Sequence, residues 1–278
     1  MVCLLCRRPR RGLYLVSLYF NSFWGMLAGW AIVALLKGGL HLAFLGKPMR
    51  FWRIMLRPQA SWLARGFVFV LLFSGLGAVQ LVASSLMPGS ILEVVLKGLV
   101  GMSAFAVAIY TGFVLNDVKA VPFWNSRLLP LLFVLCGILG GFGLSVVIAI
   151  SGGNISLHAA EIGSQWVLIL NIALIVTYLW RAMHRSETGK KSVLEQLQGG
   201  LAPVFWIGVV ACGIIIPIIA VFARKFLGDL STGLILGGVA CEVIGGFSLR
   251  YCVLKAGAYE PLVTVSSLRR PRLSVVKT

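Results

Sequence analysis

Long apolar runs alternate along the chain with short polar connectors. Seven runs stand out: Tyr19 to Leu45, interrupted by Lys37, then Trp62 to Met87, Ile91 to Leu115, Leu128 to Ile150, Trp166 to Trp180, Leu201 to Phe222 and Ser231 to Leu254. A helix needs roughly 20 apolar residues to cross the hydrocarbon core of a bilayer, and most of these runs reach that length. None alternates with period two throughout, which argues against a lipid-facing β-barrel. A helix satisfies its own backbone hydrogen bonds in lipid, so the runs predict helices. The pattern therefore predicts an all-α, polytopic transmembrane bundle of about seven helices. It forms one membrane-embedded domain over residues 1–278, with the helical bundle at 13–257 and a basic cytoplasmic tail at 258–278.

Two features modulate the runs. Pro217 falls inside the sixth, where it removes a backbone hydrogen bond and predicts a kink. The pairs Gly25/Gly29, Gly137/Gly141 and Gly233/Gly237 repeat a spacing that lets two helices approach closely, and they read as packing positions.

Charge sets the topology. Of 278 residues, 59% are hydrophobic and only 12% charged, about half the charge density of a soluble domain. A soluble protein of this composition would expose large apolar patches and aggregate. The cations cluster on alternate connectors: Lys47, Arg50, Arg53, Arg57 and Arg65; Lys119 and Arg127; Arg181, Arg185, Lys190 and Lys191; and Arg269, Arg270, Arg272 and Lys277 in the tail. The intervening Pro88–Ser90 and Ser151–Gln165 carry no Lys or Arg, and Arg224 with Lys225 forms a short exception. The positive-inside bias then places the basic connectors and the C-terminus in the cytoplasm, as in a multi-pass protein of the inner (cytoplasmic) membrane. Seven crossings would leave the N-terminus outside, against the basic sequence of residues 6–11. That segment resembles the start of a signal peptide, but the following apolar run is too long and no clear cleavage site follows, so an uncleaved helix is expected. The net charge of +17 reads as topology and contact with anionic lipid rather than nucleic-acid binding.

Cysteine and histidine narrow the chemistry. Cys3 and Cys6 form one CxxC without the second pair that a four-ligand site needs. Cys136, Cys212, Cys241 and Cys252 stand singly in apolar runs, where a small buried hydrophobe is the ordinary role. Of the three histidines, His158 and His184 fall in connectors, leaving only His41 near a run. No haem, no iron–sulfur cluster and no metal site is expected in this chain.

Polar groups within the runs are the remaining candidates. A carboxylate inside a membrane is costly and marks function by default. Glu93 and Glu242 lie inside runs, while Asp117 and Glu161 lie at run ends. Glu93 and Lys97 are four residues apart and can neutralise each other. Glu242 has only Arg250 within reach, two turns on, and is a candidate for a proton or polar-network role. Asn171 reads as a helix–helix hydrogen bond. The densest polar segment runs from Tyr110 to Ser126 and contains Asp117, Lys119, Trp124 and Asn125. Tyr110 and Asp117 are seven apart and share a face if the helix continues that far. A quinone head group needs a donor at each carbonyl oxygen, an acid or base for its protons, and apolar walls. The same residue types also anchor a helix at the membrane interface, and the residues alone leave both readings open.

Three stretches carry a resemblance. They are His41-Leu-Ala-Phe-Leu-Gly-Lys-Pro-Met-Arg-Phe-Trp-Arg53 with Ser61-Trp-Leu-Ala-Arg-Gly66; Tyr110-Thr-Gly112 through Val121-Pro-Phe-Trp-Asn-Ser126 and Leu128-Leu-Pro130; and Glu242-Val-Ile-Gly-Gly-Phe-Ser-Leu-Arg-Tyr251 with Leu254-Lys-Ala-Gly257. In this order the sequence resembles the NrfD/polysulfide reductase membrane-subunit family, which includes the dimethyl sulfoxide reductase anchors. The resemblance implies a membrane anchor of a respiratory oxidoreductase complex. Such a subunit exchanges electrons between quinone, as menaquinone or ubiquinone, and an iron–sulfur partner with ferredoxin-like 4Fe–4S clusters; a molybdopterin catalytic subunit completes the complex. It further implies a quinone site at Tyr110, with Thr111, His41, Trp124 and Asn125 around it, and proton transfer through Asp117, Glu161 and Glu242. The family carries a helix before the one containing Trp24 that the hydropathy pattern does not show here. Two other readings are a transporter using Glu93, Lys97 and Glu242, and a structural anchor without a quinone site. No internal repeat is found, and only Pro217 breaks a helix interior, which weighs against the transporter.

Overall fold

The computed structural model describes residues 12–39, 43, 59, 61–153, 155–227 and 232–259. His41, most of the basic connector from Lys47 to Arg57, Cys3, Cys6 and the tail beyond Tyr259 lie outside the described residues. The described chain is all-helical. Its elements are α1 (Gly12–Tyr19), α2 (Phe23–Ala31, continued as a π-helix over Ile32–Gly38), α3 (Trp62–Leu86), α4 (Ile91–Asn116), α5 (Leu128–Ile150), α6 (Leu157–Arg185), α7 (Glu187–Leu197), α8 (π-helical over Val204–Ile215, then α-helical over Ile216–Leu227) and α9 (Thr232–Lys255). Six of them, α3, α4, α5, α6, α8 and α9, are long and apolar enough to cross a membrane. The protein is thus an all-α polytopic transmembrane bundle, as the hydropathy pattern predicts.

Local chemistry sets the helix starts. Ser61, Ser90 and Ser186 each accept a hydrogen bond from the backbone N–H three residues on, at 3.1, 3.2 and 3.0 Å, satisfying one of the donors that a helix N-terminus leaves orphaned. Gly89 and Gly152 hold the positive φ angles, 80° and 85°, of the two tight neutral turns, a region open to glycine at little cost.

The structure corrects the first apolar run. Its first residue, Tyr19, ends a separate short helix, α1, and the helix of the run begins at Phe23. The chain turns at Phe20–Ser22, where Asn21 adopts a φ of 52° and Ser22 caps α2 through the Gly25 N–H at 3.4 Å. The helix pair is antiparallel, because Gly25 faces Ser17 while Gly29 faces Tyr14. A side chain at either glycine would overlap α1, which is how the Gly25/Gly29 spacing serves packing. Asn21 and Ser22 are the polar signal of this turn, but two polar residues between long apolar stretches barely move a hydropathy average taken over a helix length. The connector after the fifth run also differs from expectation: Ser186 caps an eleven-residue helix, α7, which buries Val193 and Gln196. Just before Pro217 the winding changes from π to α at Ile215–Ile216, within reach of the Gly213 carbonyl, four residues back, that the ring obstructs. Gly233 and Gly237 meet nothing within 4 Å among the described residues, so this pair, unlike Gly25/Gly29, packs no helix there.

Two units make up the bundle. The first packs α2, α3 and α4 around α1. The second packs α5, α6, α8 and α9, and α5 also contacts α1 and α4, joining the two. The helix ends gather into a basic end and a neutral end. At the basic end the connector 117–127 is held by three bonds from other helices' termini: Trp124 Nε1 donates to the Val253 carbonyl at 2.7 Å, the Tyr178 hydroxyl to the Phe123 carbonyl at 2.7 Å, and an Arg185 Nη to the Asn125 carbonyl at 2.5 Å.

Candidate functional site

Tyr110 lies in the last two turns of α4, at the basic end. Its side chain is fully buried, at 0% exposure, in an apolar cluster with Val33, Val70, Phe73 and Val107. Space for the ring comes from Gly66 on α3, where a Cβ would overlap it. Thr111, the next residue, is also buried. Over the Tyr110 ring stands the ammonium of Lys37, 4.3 Å from the centroid and itself only 8% exposed. A cation over an aromatic face is held by the ring's negative quadrupole, and more strongly where water is excluded. Lys37 sits in the π-helical end of α2; π-bulges recur at functional sites because they re-aim a side chain. Beside this pair, Trp62 stacks on Phe113 with centroids 4.7 Å apart, and the Arg65 guanidinium lies 4.6 Å from the Trp62 ring. The basic ends of α2, α3 and α4 thus carry two cation–ring pairs, Lys37 over Tyr110 and Arg65 over Trp62, with Phe113 stacked on Trp62.

Lys37 is the residue that sequence reading left out. Its signal was present, a lysine inside an apolar run, and such a residue is expensive unless it has a task. What the sequence could not supply was its partner, seventy-three positions away (110 less 37).

The expected quinone-binding residues do not form one cluster. Tyr110 and Thr111 share the interior of the first unit. Trp124 is committed to the Val253 carbonyl and packs its ring against Gly257. Asn125 lines a different space, an open cleft of about 720 Å³ with Asn116, Arg127, Trp180, Arg181 and Arg185. His41 lies outside the described residues. Tyr110 and Asp117 differ in exposure: α4 runs to Asn116, and Asp117 is its C-cap, in helical conformation but exposed, while Tyr110 is buried.

The proton-transfer candidates are likewise dispersed. Glu161 is half-buried near the start of α6, and the 24 residues to Arg185 (185 less 161) put it roughly 36 Å from the basic end at 1.5 Å per residue. Glu242 is buried in the second unit, lining a small cavity of about 20 Å³ with Cys136, Asn171, Gly213, Gly245 and Leu249. Its carboxylate lies against Gly143, and Oε1 has no hydrogen-bond partner among the described residues. Arg250, expected as its partner, is buried elsewhere on α9 with its guanidinium 5.7 Å from the Phe133 ring. Two expectations do hold. Glu93 pairs with Lys97 at 2.7 Å, and Asn171 bridges helices by accepting from the Cys136 thiol at 3.5 Å.

Known proteins share this sequence over most of its length. The family model described as polysulphide reductase, NrfD, matches residues 18–261. The C subunit of polysulfide reductase from Wolinella succinogenes is 29% identical over 164 residues, 55% of the present chain and 50% of that protein. Protein NrfD of Escherichia coli is 27% identical over 260 residues, 81% of the present chain and 79% of that protein. The NrfD homolog of Haemophilus influenzae is 30% identical over 164 residues, 55% of the present chain and 50% of its own length. The protein therefore aligns with about half the length of two of these relatives and most of the third.

Proposed function

The chain belongs to the NrfD polysulphide reductase family, and on that premise we propose that it is the membrane anchor of an oxidoreductase complex that exchanges electrons between the quinone pool and an iron–sulfur partner subunit. The observation that carries this reading is the buried Lys37 ammonium over the Tyr110 ring, 4.3 Å from its centroid. A cation and a phenol held together in an apolar interior offer what a quinone head group needs: a hydrogen-bond donor, a charge that favours the reduced oxygen, and dry walls. The stacked Trp62 and Phe113 supply flat apolar faces at the same end.

In the forward direction a quinol loses two electrons and two protons. Tyr110 orients the head group through its hydroxyl. Lys37 favours proton departure by stabilising negative charge on the oxygen. Iron–sulfur clusters in a ferredoxin-like subunit would take up the two electrons one at a time, and a molybdopterin subunit would use them. Among the carboxylates, Asp117 is at the basic end, seven residues beyond Tyr110 and open to water, so it is the nearest exit for a proton. Glu161 and Glu242 would serve only a longer route through the second unit. The basic end faces the cytoplasm of an inner-membrane protein on the positive-inside bias.

The test is Tyr110→Phe in the assembled complex, because it removes one hydroxyl and almost no volume. Quinol oxidation should slow at least about tenfold, the effect of losing roughly one hydrogen bond to a charged or developing-charge group, while the chain still inserts and assembles. Unchanged turnover in an intact complex would favour a structural anchor with no quinone contact at this tyrosine.

A further inference from the structure

An open cleft at the basic end is lined by neither Tyr110 nor Lys37. It is formed where α4 ends, α5 begins and α6 ends, and it holds about 720 Å³. Its walls carry Arg127, Arg181 and Arg185, and no carboxylate lines it among the described residues. All three arginines are exposed. Arg185 is held in place by its bond to the Asn125 carbonyl at 2.5 Å. Arg127 stands at the start of α5 without capping it through its side chain. Three uncompensated guanidinium groups around one space repel one another unless an anion lies between them.

Two further observations say what kind of anion. The outer face of α6 presents Ile169, Val176 and Trp180, exposed by 57, 61 and 62%, and Trp180 lines the cleft. An apolar stripe facing lipid therefore runs directly into the arginine cluster. A ligand with a phosphate and an acyl chain would fill both. In addition, Asn116 Oδ1 is buried at the cleft wall with no hydrogen-bond partner. It is an acceptor among donors, and it calls for a hydroxyl beside the phosphate. A cationic amine would also bond it, but three arginines oppose one. We propose that this cleft binds the head group of an anionic phospholipid of the phosphatidylglycerol type, its phosphate on Arg127, Arg181 and Arg185 and its glycerol hydroxyl toward Asn116. Basic pockets between transmembrane helices suit such head groups, and bidentate guanidinium–phosphate pairing favours arginine over lysine. The site stands apart from Tyr110 and holds whether or not Tyr110 touches a quinone.

The experiment uses the purified full chain in a non-ionic detergent, with thermal unfolding as readout. It is titrated in parallel with phosphatidylglycerol, phosphatidylcholine of the same acyl chains, inorganic phosphate and a polyglutamate peptide. Phosphatidylglycerol should raise the melting temperature and the others should not at equal concentration. Arg181→Gln should shift the phosphatidylglycerol midpoint about fivefold and the pair Arg127→Gln/Arg181→Gln about 30-fold, at roughly 1 kcal/mol per cation. Both variants should keep the lipid-free melting temperature, and Arg127→Lys/Arg181→Lys should retain most of the binding. Variants that bind phosphatidylglycerol as the native chain does would overturn the site. An equal response to inorganic phosphate would make it a free-phosphate site, and displacement of the lipid by polyglutamate would make it a docking surface for an acidic protein; either result ends the lipid assignment.

Discussion

The two units of the bundle solve the problem of polar groups in a membrane in opposite ways. In the first, the polar side chains form one continuous network. The Tyr14 hydroxyl donates to Gln80 at 2.6 Å, Gln80 to Ser84 at 2.7 Å, Ser84 to Glu93 at 2.6 Å, and Lys97 both pairs with Glu93 at 2.7 Å and donates to Asn21 at 2.6 Å. The other Glu93 oxygen accepts from the Gly89 N–H at 2.7 Å. Ser84, the Gly89 N–H and Lys97 all donate to the Glu93 carboxylate, so the charge is compensated from three sides. In the second unit, Glu242 and Arg250 are buried on one helix without pairing, and what holds the helices is close backbone approach. Gly213 on α8 meets Gly245 on α9, and Gly208 meets Ser248 one turn away. Small residues let backbones touch, and dispersion then replaces hydrogen bonding as the adhesive. The first unit derives its order from directional bonds that tolerate little, and the second from shape. A buried carboxyl with no hydrogen-bond partner at Oε1 among the described residues is a candidate for a purpose other than stability.

The contrast is broken most severely at the glycine crossing. Gly245→Val would place a branched side chain into the Gly213 backbone, where no flexible atom can yield. A loss of about 3 kcal/mol is expected, with failed helix packing, measured as the melting temperature of the detergent-solubilised chain. A native-like melting temperature would mean that α8 and α9 are not held by their backbones.

Cutting the hydrogen-bond network ranks next. Gln80→Leu preserves much of the volume but strands the Tyr14 hydroxyl, which donates to Gln80, and takes away the amide donor to Ser84, which keeps its own bond to Glu93. A cost of about 2 kcal/mol is expected for buried polar groups left without partners. If the protein is unaffected, the network is an ornament of the first unit and not its adhesive.

Glu242→Gln sharpens the comparison from the other side. The substitution replaces a buried carboxyl whose Oε1 has no hydrogen-bond partner among the described residues with an amide of nearly the same size, and a change of no more than about 1 kcal/mol is expected. Turnover of the complex provides the second reading: slowing at unchanged stability would assign Glu242 to proton movement, whereas a large stability loss would show that it is compensated much as Glu93 is.

The smallest effect belongs to Lys97→Met. The lysine side chain is 20% exposed, and Glu93 keeps its bonds from Ser84 and Gly89. About 0.5 kcal/mol is expected, as for partly hydrated ion pairs, and it should shrink as salt is raised. A salt-independent loss several times larger would show that the pair, and not the hydroxyl and amide donors, carries the Glu93 charge.

Local patterns were readable without coordinates. Leu128 to Ile150 is an apolar run and also the full extent of α5, because lipid permits only a helix there. The Glu93–Lys97 pair followed from four-residue spacing on one helix. The candidate site was less legible. The segment from Tyr110 to Asn125 reads as one constellation in sequence, yet α4 ends within it, so Tyr110 turns inward while Asp117 faces water and Asn125 faces the arginine cleft. The turn at Asn21 was less legible because its polar signal is only two residues, Asn21 and Ser22, set between long apolar stretches.

By itself the sequence determined the membrane-spanning helices, the basic and neutral ends, and the family, because burial in lipid and charge at its edges are properties of short segments. Only the tertiary structure decided that Lys37 stands over Tyr110, that Glu242 and Arg250 do not pair, and that three arginines from two helix ends face one cleft. Those outcomes depend on how helices distant in sequence rotate and cross. Packing of small residues and hydrogen bonds between helices fixes that rotation, and a hydropathy pattern averages it away.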